Sequence, residues 1–513
     1  MRLELCLDQG STRRWHVDLL ERLSRQPDLV VGIRWAAPHA EPLPSCVAVL
    51  FALERIVHGL PPGSFAPVTP DDLTTHVGRG GVQPDVVLDL TGGVPSGGRR
   101  RWRLTFDGAN GEVPLVASLL AGRTPVVAIT DIETGAPLAE GHPGTETPDI
   151  IASAFDDVLA RTTTLILAAA GAQERPIPRR KAVPAELDCG IVALSGAKSV
   201  ARAALRRLRG LVSHAPHWRT GWRFVDGPGT LESGAHPADG WRNLPDDGLR
   251  FYADPFPIVV EGRTWLFVQD VEHRTGKGVI SVVPFDTAGP AGSPYPVLEV
   301  ATHLSYPFVF EHAGDVWMIP ENAAGSVDLY RATRFPGGWV HEGRLLDGVE
   351  ASDATPFRHD GRWWLSATVR DGGSPSDALH LWISESLHGP WLPHAANPVL
   401  VDVAGARPAG RVVQVGSRLV RPVQDASNGK AGAIALAEIT RLDERGFAQR
   451  VTASLAPGPL WPGRSLRTLN RAGRLECVGG SGFALRIGQR PRVAASAEAR
   501  APAPVVGRTA ALS

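Results

Sequence analysis

A chain of 513 residues is too long for one ordinary hydrophobic core, so two or three domains are expected. Lys+Arg and Asp+Glu both total 53, which leaves no global field to draw nucleic acid or an anionic membrane. The apolar and charged fractions, 43% and 21%, are those of a globular protein; no apolar run reaches the ~18 residues a membrane span needs, and MRLELCLDQGSTRRWHV lacks the marks of a secretory signal, so a cytoplasmic location is expected. Cys6, Cys46, Cys189 and Cys477 lie far apart without a CxxC pair, which suggests neither a zinc site nor a disulfide framework.

Residues 1–170 alternate strand and helix patterns. Apolar strand candidates at 3–7, 29–33, 86–90 and 124–130 are separated by helical spacing at 12–25, 45–60 and 113–122, and a long helix over 148–171 ends the run. This alternation predicts an α/β domain with a parallel sheet covered by helices. LDLTGGVPSGG at 88–98 matches neither phosphate-loop pattern and reads as a flexible turn. Residues 171–216 hold a Pro-rich charged linker and then GAKSVARAALRRLRGLV, whose arginines cluster on one side. A solvated connecting helix is favoured there over a membrane-surface or nucleic-acid role, because large apolar residues are few.

Residues 217–487 repeat one sentence: an apolar strand, a polar turn with glycine, an aromatic strand. FYADPFPIVVEGRTWLFV (251–268) is followed by copies at 305–321, 352–368, 407–425 and, fainter, 461–480. A period of this length signals a radial array, and five copies predict a five-bladed β-propeller, with outer strands at 278–286, 327–335 and 378–386. Residues 488–513, rich in Ala, Pro and Arg, read as a disordered tail.

Two resemblances sharpen these expectations. PDVVLDLTGG, WRLTFDGANG, LLAGRTP and TDIETGAPL resemble the N-terminal domain of the formyltransferases, which use 10-formyltetrahydrofolate. The family's Asn-x-His element falls on Thr105-Phe106-Asp107 and its Asp-x-Gly element on Glu133-Thr134-Gly135, so the catalytic trio is not retained. An ionised Asp107 would stand beside a developing oxyanion, the opposite of what formyl transfer needs. From about 217 to 450, HWRTGWRF, YADPFPI, HLSYPFVF, MIPENAAGSVDLYRATRFPGGW, GRWWLSAT and RPAGRVVQVGSRLVRPVQD closely resemble the N-terminal domain of the plant glucosamine inositolphosphorylceramide transferases. That resemblance implies a propeller related to arabinanase- and invertase-like glycosidases, without supplying a reaction.

Two carboxylates flanking a sugar bond are the minimal glycosidase. Asp254 matches the Asp-Pro position of a general base or nucleophile, Glu321 is the candidate acid, and Asp353 a modulator or alternative acid. His303, Tyr306, Arg407, Arg421, Gln424 and Asp425 are the candidate substrate binders, since guanidinium and amide groups read hydroxyls and anions well. An acidic residue before proline is also an ordinary turn-former, and the second repeat carries Tyr306-Pro307 instead. The chain is thus expected to recognise, cleave or transfer a carbohydrate or glycoconjugate without a cofactor. Formyl transfer to an amino sugar, with 10-formyltetrahydrofolate as donor, and non-catalytic glycan binding are the alternatives.

Overall fold

The computed structural model describes residues 1–74, 83–93, 97–171, 183, 185–427, 432–461 and 463–485. The expected tail, most of the Pro-rich linker and part of the Gly-rich turn lie outside the described residues.

The N-terminal unit runs β1 (Arg2–Leu7), α1 (Arg14–Ser24), β2 (Val30–Trp35), α2 (Ser45–His58), the short α3 (Pro70–Thr74), β3 (Val86–Asp89), β4 (Arg100–Phe106), α4 (Val113–Leu120), β5 (Val127–Asp131), β6 (Pro137–Gly141) and α5 (Ile151–Ala170). Its sheet has the order β2-β1-β3-β4-β5-β6. The first four strands are parallel, but β5 runs antiparallel to β4 and β6 antiparallel to β5, so the sheet is mixed where a parallel one was expected. The connection explains the reversal: α4, at eight residues, rises about 12 Å and cannot carry the chain back along the seven-residue β4, about 23 Å long. The chain therefore re-enters beside the end it left, pairing Val127 with Phe106.

α5 fastens this unit to the rest of the chain. Its Arg161 is wholly buried, forms an ion pair with the equally buried Asp377 at 2.8 Å, and donates to the Ser374 carbonyl at 2.9 Å. Asp377 in turn accepts the Gly144 N–H at 2.7 Å, and Val401 joins the N-terminal apolar core. A last helix, α6 (Cys189–Val212), is capped by Asp188, whose carboxylate accepts the Gly190 and Ile191 amides, and it packs along α2. That packing brings the α-carbons of Cys46 and Cys189 to 6.0 Å, where they form a disulfide closing a separation of 143 residues. The expectation of no disulfide is corrected: no spacing rule reports a pairing made by tertiary contact between two helices.

Beyond α6 come five antiparallel sheets of at least four strands each. Strands over 250–298, 304–347, 351–401 and 413–455 make four consecutive blades. The fifth is shared between the two ends of the region: Thr468–Ala472 pairs with Leu475–Leu485, which pairs in turn with β7 (Ser213–Phe224), and β7 carries Arg242–Asn243 outside it. Cys477 faces Trp222 across this seam, so the ring is closed by hydrogen bonds and leaves no long free edge. Trp363, Trp364 and Trp391 are buried within and between blades.

Three blades share one device. Asp254, Tyr306 and Asp353, each on the innermost strand, have φ of 46°, 43° and 56°, and the pairing register slips at each of these points. These are β-bulges, which re-aim a side chain and bend the strand. A left-handed non-glycine residue costs about 1–2 kcal/mol, least for aspartate. Tyr306 is held there by its hydroxyl on Thr355 Oγ1 at 2.9 Å and by an edge-on contact with Phe256 at 4.7 Å.

Candidate active site

The bulges open onto a cavity of about 600 Å³ at one end of the channel. Asp254 from the first blade, Glu321 from the second, Asp353 from the third, Arg407 and Gln424 from the fourth and Arg467 from the fifth all line it. His303 lines it too. Residues far apart in sequence meet because each blade presents the same end of its inner strands to the axis.

A hydrogen-bond relay ties the blades together. Asp254 accepts the Tyr306 N–H at 3.4 Å, and Glu321 accepts the Asp353 N–H at 2.7 Å, so the carboxylates of one blade receive the bulge amides of the next. Asp353 takes Arg407 Nε at 2.5 Å and Gln424 Nε2 at 3.0 Å on one oxygen. Glu321 stands opposite Ser305 in the register, where the first blade places Gln269 opposite Ala253 and the third places Thr368 opposite Ser352. Gln269 therefore holds the position equivalent to Glu321. Its Nε2 lies 2.8 Å from His303 Nε2, while His303 Nδ1 accepts the Gly278 N–H at 3.0 Å.

The electrostatics separate the acids. Burial, then the neighbouring Asp353 charge, pushes Glu321 up to about 8. The same two causes push Asp254 up to about 6, with Arg467 and Arg407 pulling the other way. Arg407 is held protonated against its burial by Asp353, Glu321 and Asp254. Arg467 is lowered by burial and by Arg407, and its guanidinium lies 4.8 Å over the Trp218 ring. At neutral pH Glu321 thus holds its proton more firmly than Asp254, in a cavity that Asp353, Arg407 and Arg467 also line.

The rest of the lining is aromatic and imidazole-rich, with Trp218, Phe251, His214 and His273. His273 Nε2 lies 3.0 Å from His217 Nδ1, and His217 Nε2 lies 3.2 Å from Asp246, so a carboxylate and two imidazoles run in series to the wall. His214 stacks on His273 at 4.0 Å. Burial opposes ionisation of Asp246, but the His217 ring holds its carboxyl below the usual range. Among the described residues no group of three or more His, Cys, Asp or Glu side chains is arranged to hold a metal ion.

Three expected binders do not line the cavity. Arg421 is buried and donates to the carbonyls of Gly405 at 3.2 Å and Ala406 at 2.8 Å and to Gln449 at 2.8 Å, which props the loop leading into Arg407. Tyr306 offers its backbone to Asp254, and its ring is buried. Asp425 closes a local turn by accepting Ser427 N at 3.0 Å and Oγ at 2.6 Å. Sequence alone had not pointed to Gln269, Arg467, Trp218, His214 or His273; a register comparison between blades is the signal that exposes Gln269.

In the N-terminal unit, Asp107 accepts Ser118 Oγ at 2.6 Å, Arg123 Nη1 at 2.8 Å and Val126 N at 3.0 Å, a fully committed buried carboxylate. Glu133 pairs at the surface with Arg101 at 3.2 Å.

Residues 245–457 match the family model described as glucosamine inositolphosphorylceramide transferase 1, N-terminal. Over those residues the propeller matches the N-terminal domain of this family. A glucosamine inositolphosphorylceramide transferase 1 of Oryza sativa subsp. japonica is 35% identical over 205 residues, 39% of this chain and 27% of that protein. Its namesake in Arabidopsis thaliana is 31% identical over 255 residues, 45% of this chain and 33% of that one. The chain therefore spans about a third or less of these relatives' length. Among solved structures, an exo-β-1,3-galactanase from Phanerochaete chrysosporium aligns over 41% of this chain and 57% of its own at 10% identity, with a TM-score of 0.31. A family 117 glycoside hydrolase from Zobellia galactanivorans covers 47% and 77% at 12% identity, with a TM-score of 0.32.

Proposed function

We propose that the channel cavity is where this protein binds a glycan or glycoconjugate and cleaves or transfers its sugar, with Glu321 as proton donor and Asp254 as base or nucleophile. The observation that carries the reading is the pairing of environments: of three carboxyls lining one cavity, Glu321 is pushed up to about 8 and Asp254 to about 6. A glycosidic oxygen must be protonated as it leaves while the opposite face of the sugar meets a base or nucleophile, and this pair offers both forms at pH 7. Asp353, fixed on Arg407 and Gln424, raises both neighbours through its charge. Trp218 and Phe251 supply flat apolar surface for a sugar face.

The names of the plant relatives make a glucosamine-bearing inositolphosphoryl lipid a substrate class to test, and Arg407 and Arg467 suit an anionic group beside the sugar. Formyl transfer from 10-formyltetrahydrofolate draws no support from the N-terminal unit, since the three donors on Asp107 leave its carboxylate no role at an acyl centre.

The test is turnover by the full chain over a panel of aryl glycosides and glycosyl inositol phosphates, with and without a sugar acceptor. The reading expects release or transfer of one sugar, reduced at least about 10²-fold by Glu321→Gln or Asp254→Asn. Retained binding with no turnover on any member would reduce the site to glycan recognition. Turnover untouched by both substitutions would overturn the assignment.

A further inference from the structure

α6 buries one stripe and exposes its opposite. Val192, Gly196, Ser199 and Ala203 pack inward. On the far side Leu194, Ala201, Leu205, Leu208 and Val212 recur at helical spacing and are exposed, Leu208 at 62%, and Leu211 beside them at 73%. Val49 and Ile56 on the neighbouring α2 are also exposed. Exposed leucines at this density on one helix are the kind of surface that an interaction covers.

The charge on α6 selects the partner. Residues 189–212 contain Lys198, Arg202, Arg206, Arg207 and Arg209 and no acidic residue, in a chain whose charges balance as a whole. Arg202 reaches Asp149 at 3.5 Å and Arg206 reaches His58 at 3.1 Å, while Lys198, Arg207 and Arg209 stand on the exposed surface. Leucines bordered only by cations suit an interface that is apolar within and anionic at its surface, which describes a bilayer bearing acidic lipids. Helices of the described chain are not long and apolar enough to cross one, so the contact is a docking, not a span.

We infer that α6 is an interfacial helix that seats the protein on an anionic lipid surface. Its last turn is continuous with the cavity: Gly210, Ser213 and His214 line the mouth. Docking on Leu205, Leu208 and Leu211 therefore holds that mouth at the headgroup layer. Resting here on the reading of the cavity as a glycan site, the substrate is the headgroup sugar of a membrane glycoconjugate, taken without leaving the bilayer.

The experiment is co-sedimentation of the full chain with vesicles of phosphatidylcholine alone and of phosphatidylcholine mixed with phosphatidylglycerol, without any sugar. Binding is expected to the mixed vesicles and to weaken with salt. Each surface cation contributes about fivefold, so Arg207→Gln with Arg209→Gln lowers the partition roughly 25-fold. Leu205→Ser with Leu208→Ser abolishes it at unchanged melting temperature, because both side chains are exposed in the free protein. No pelleting with either vesicle, or pelleting indifferent to the leucine substitutions, overturns the inference. So does a dimer that those substitutions disperse, or a fall in melting temperature showing that the stripe is covered within the molecule. Glu321→Gln leaves vesicle binding intact, so failure of the surface and failure of the glycan site are read separately.

Discussion

Asp254→Asn is expected to stabilise the ligand-free protein while disabling its site. Asparagine keeps the shape, retains an oxygen to accept the Tyr306 N–H, and tolerates φ of 46° as well as aspartate does. What it removes is a carboxylate that burial and Asp353 hold at about 6, against 3.8 for an unperturbed aspartate. At about 1.4 kcal/mol per pH unit that difference caps the penalty near 3 kcal/mol, and because Asp254 faces a cavity, about 1–2 kcal/mol is the expected gain. The sign follows from proton linkage: the folded state holds this proton longer than the unfolded chain, so Asp254's contribution to stability is fully present below pH 3.8 and is lost as pH rises through about 6. Thermal melts of native and variant protein from pH 4 to 8 should show the variant's advantage opening between pH 4 and 6 and then levelling, at a degree or a few above native. A variant less stable than native at pH 8, or a gap that does not change with pH, would refute the reasoning.

Turnover should follow a bell-shaped pH profile with limbs near 6 and 8, from Asp254 and Glu321, and Glu321→Gln should remove the alkaline limb along with most of the rate; a steady-state pH series checks both. Arg161→Met leaves Asp377 buried without its cation and should cost about 3–5 kcal/mol in denaturant unfolding. Cys46→Ala opens a loop of 143 residues and should cost about 3–5 kcal/mol, with dithiothreitol lowering the melting temperature of the native protein but not of the variant.

The repeating hairpins were legible because each blade is encoded locally, as an apolar strand, a glycine turn and an aromatic strand. The closure of the ring was not: β7 pairs with Leu475–Leu485 more than two hundred residues away, and nothing in either segment names its partner. Asp254 and Asp353 stood out as equivalent points of their repeats, and the bulges confirm that equivalence in geometry. Arg421 misled because charge was read without strand parity. Residues 421 and 424 are three apart on one strand and so point to opposite faces; Gln424 reaches the cavity, and Arg421 turns to the carbonyls behind it. Arg467 immediately precedes the innermost strand of the fifth blade, in the faintest of the five repeats, and it lines the cavity with residues of the other four. The mixed sheet escaped notice for a related reason: alternation of strand and helix implies parallel strands only when the helix is long enough to bring the chain back.

The most direct test of the central claim is a crystal structure of the Asp254→Asn, Glu321→Gln double variant soaked with whichever glycan binds the protein. A sugar ring seated in the channel cavity, its glycosidic oxygen within hydrogen-bonding reach of residue 321 and its far face turned to residue 254, is the predicted result. A glycan bound on an outer blade, with the cavity among Asp353, Arg407 and Arg467 unchanged, would contradict the account.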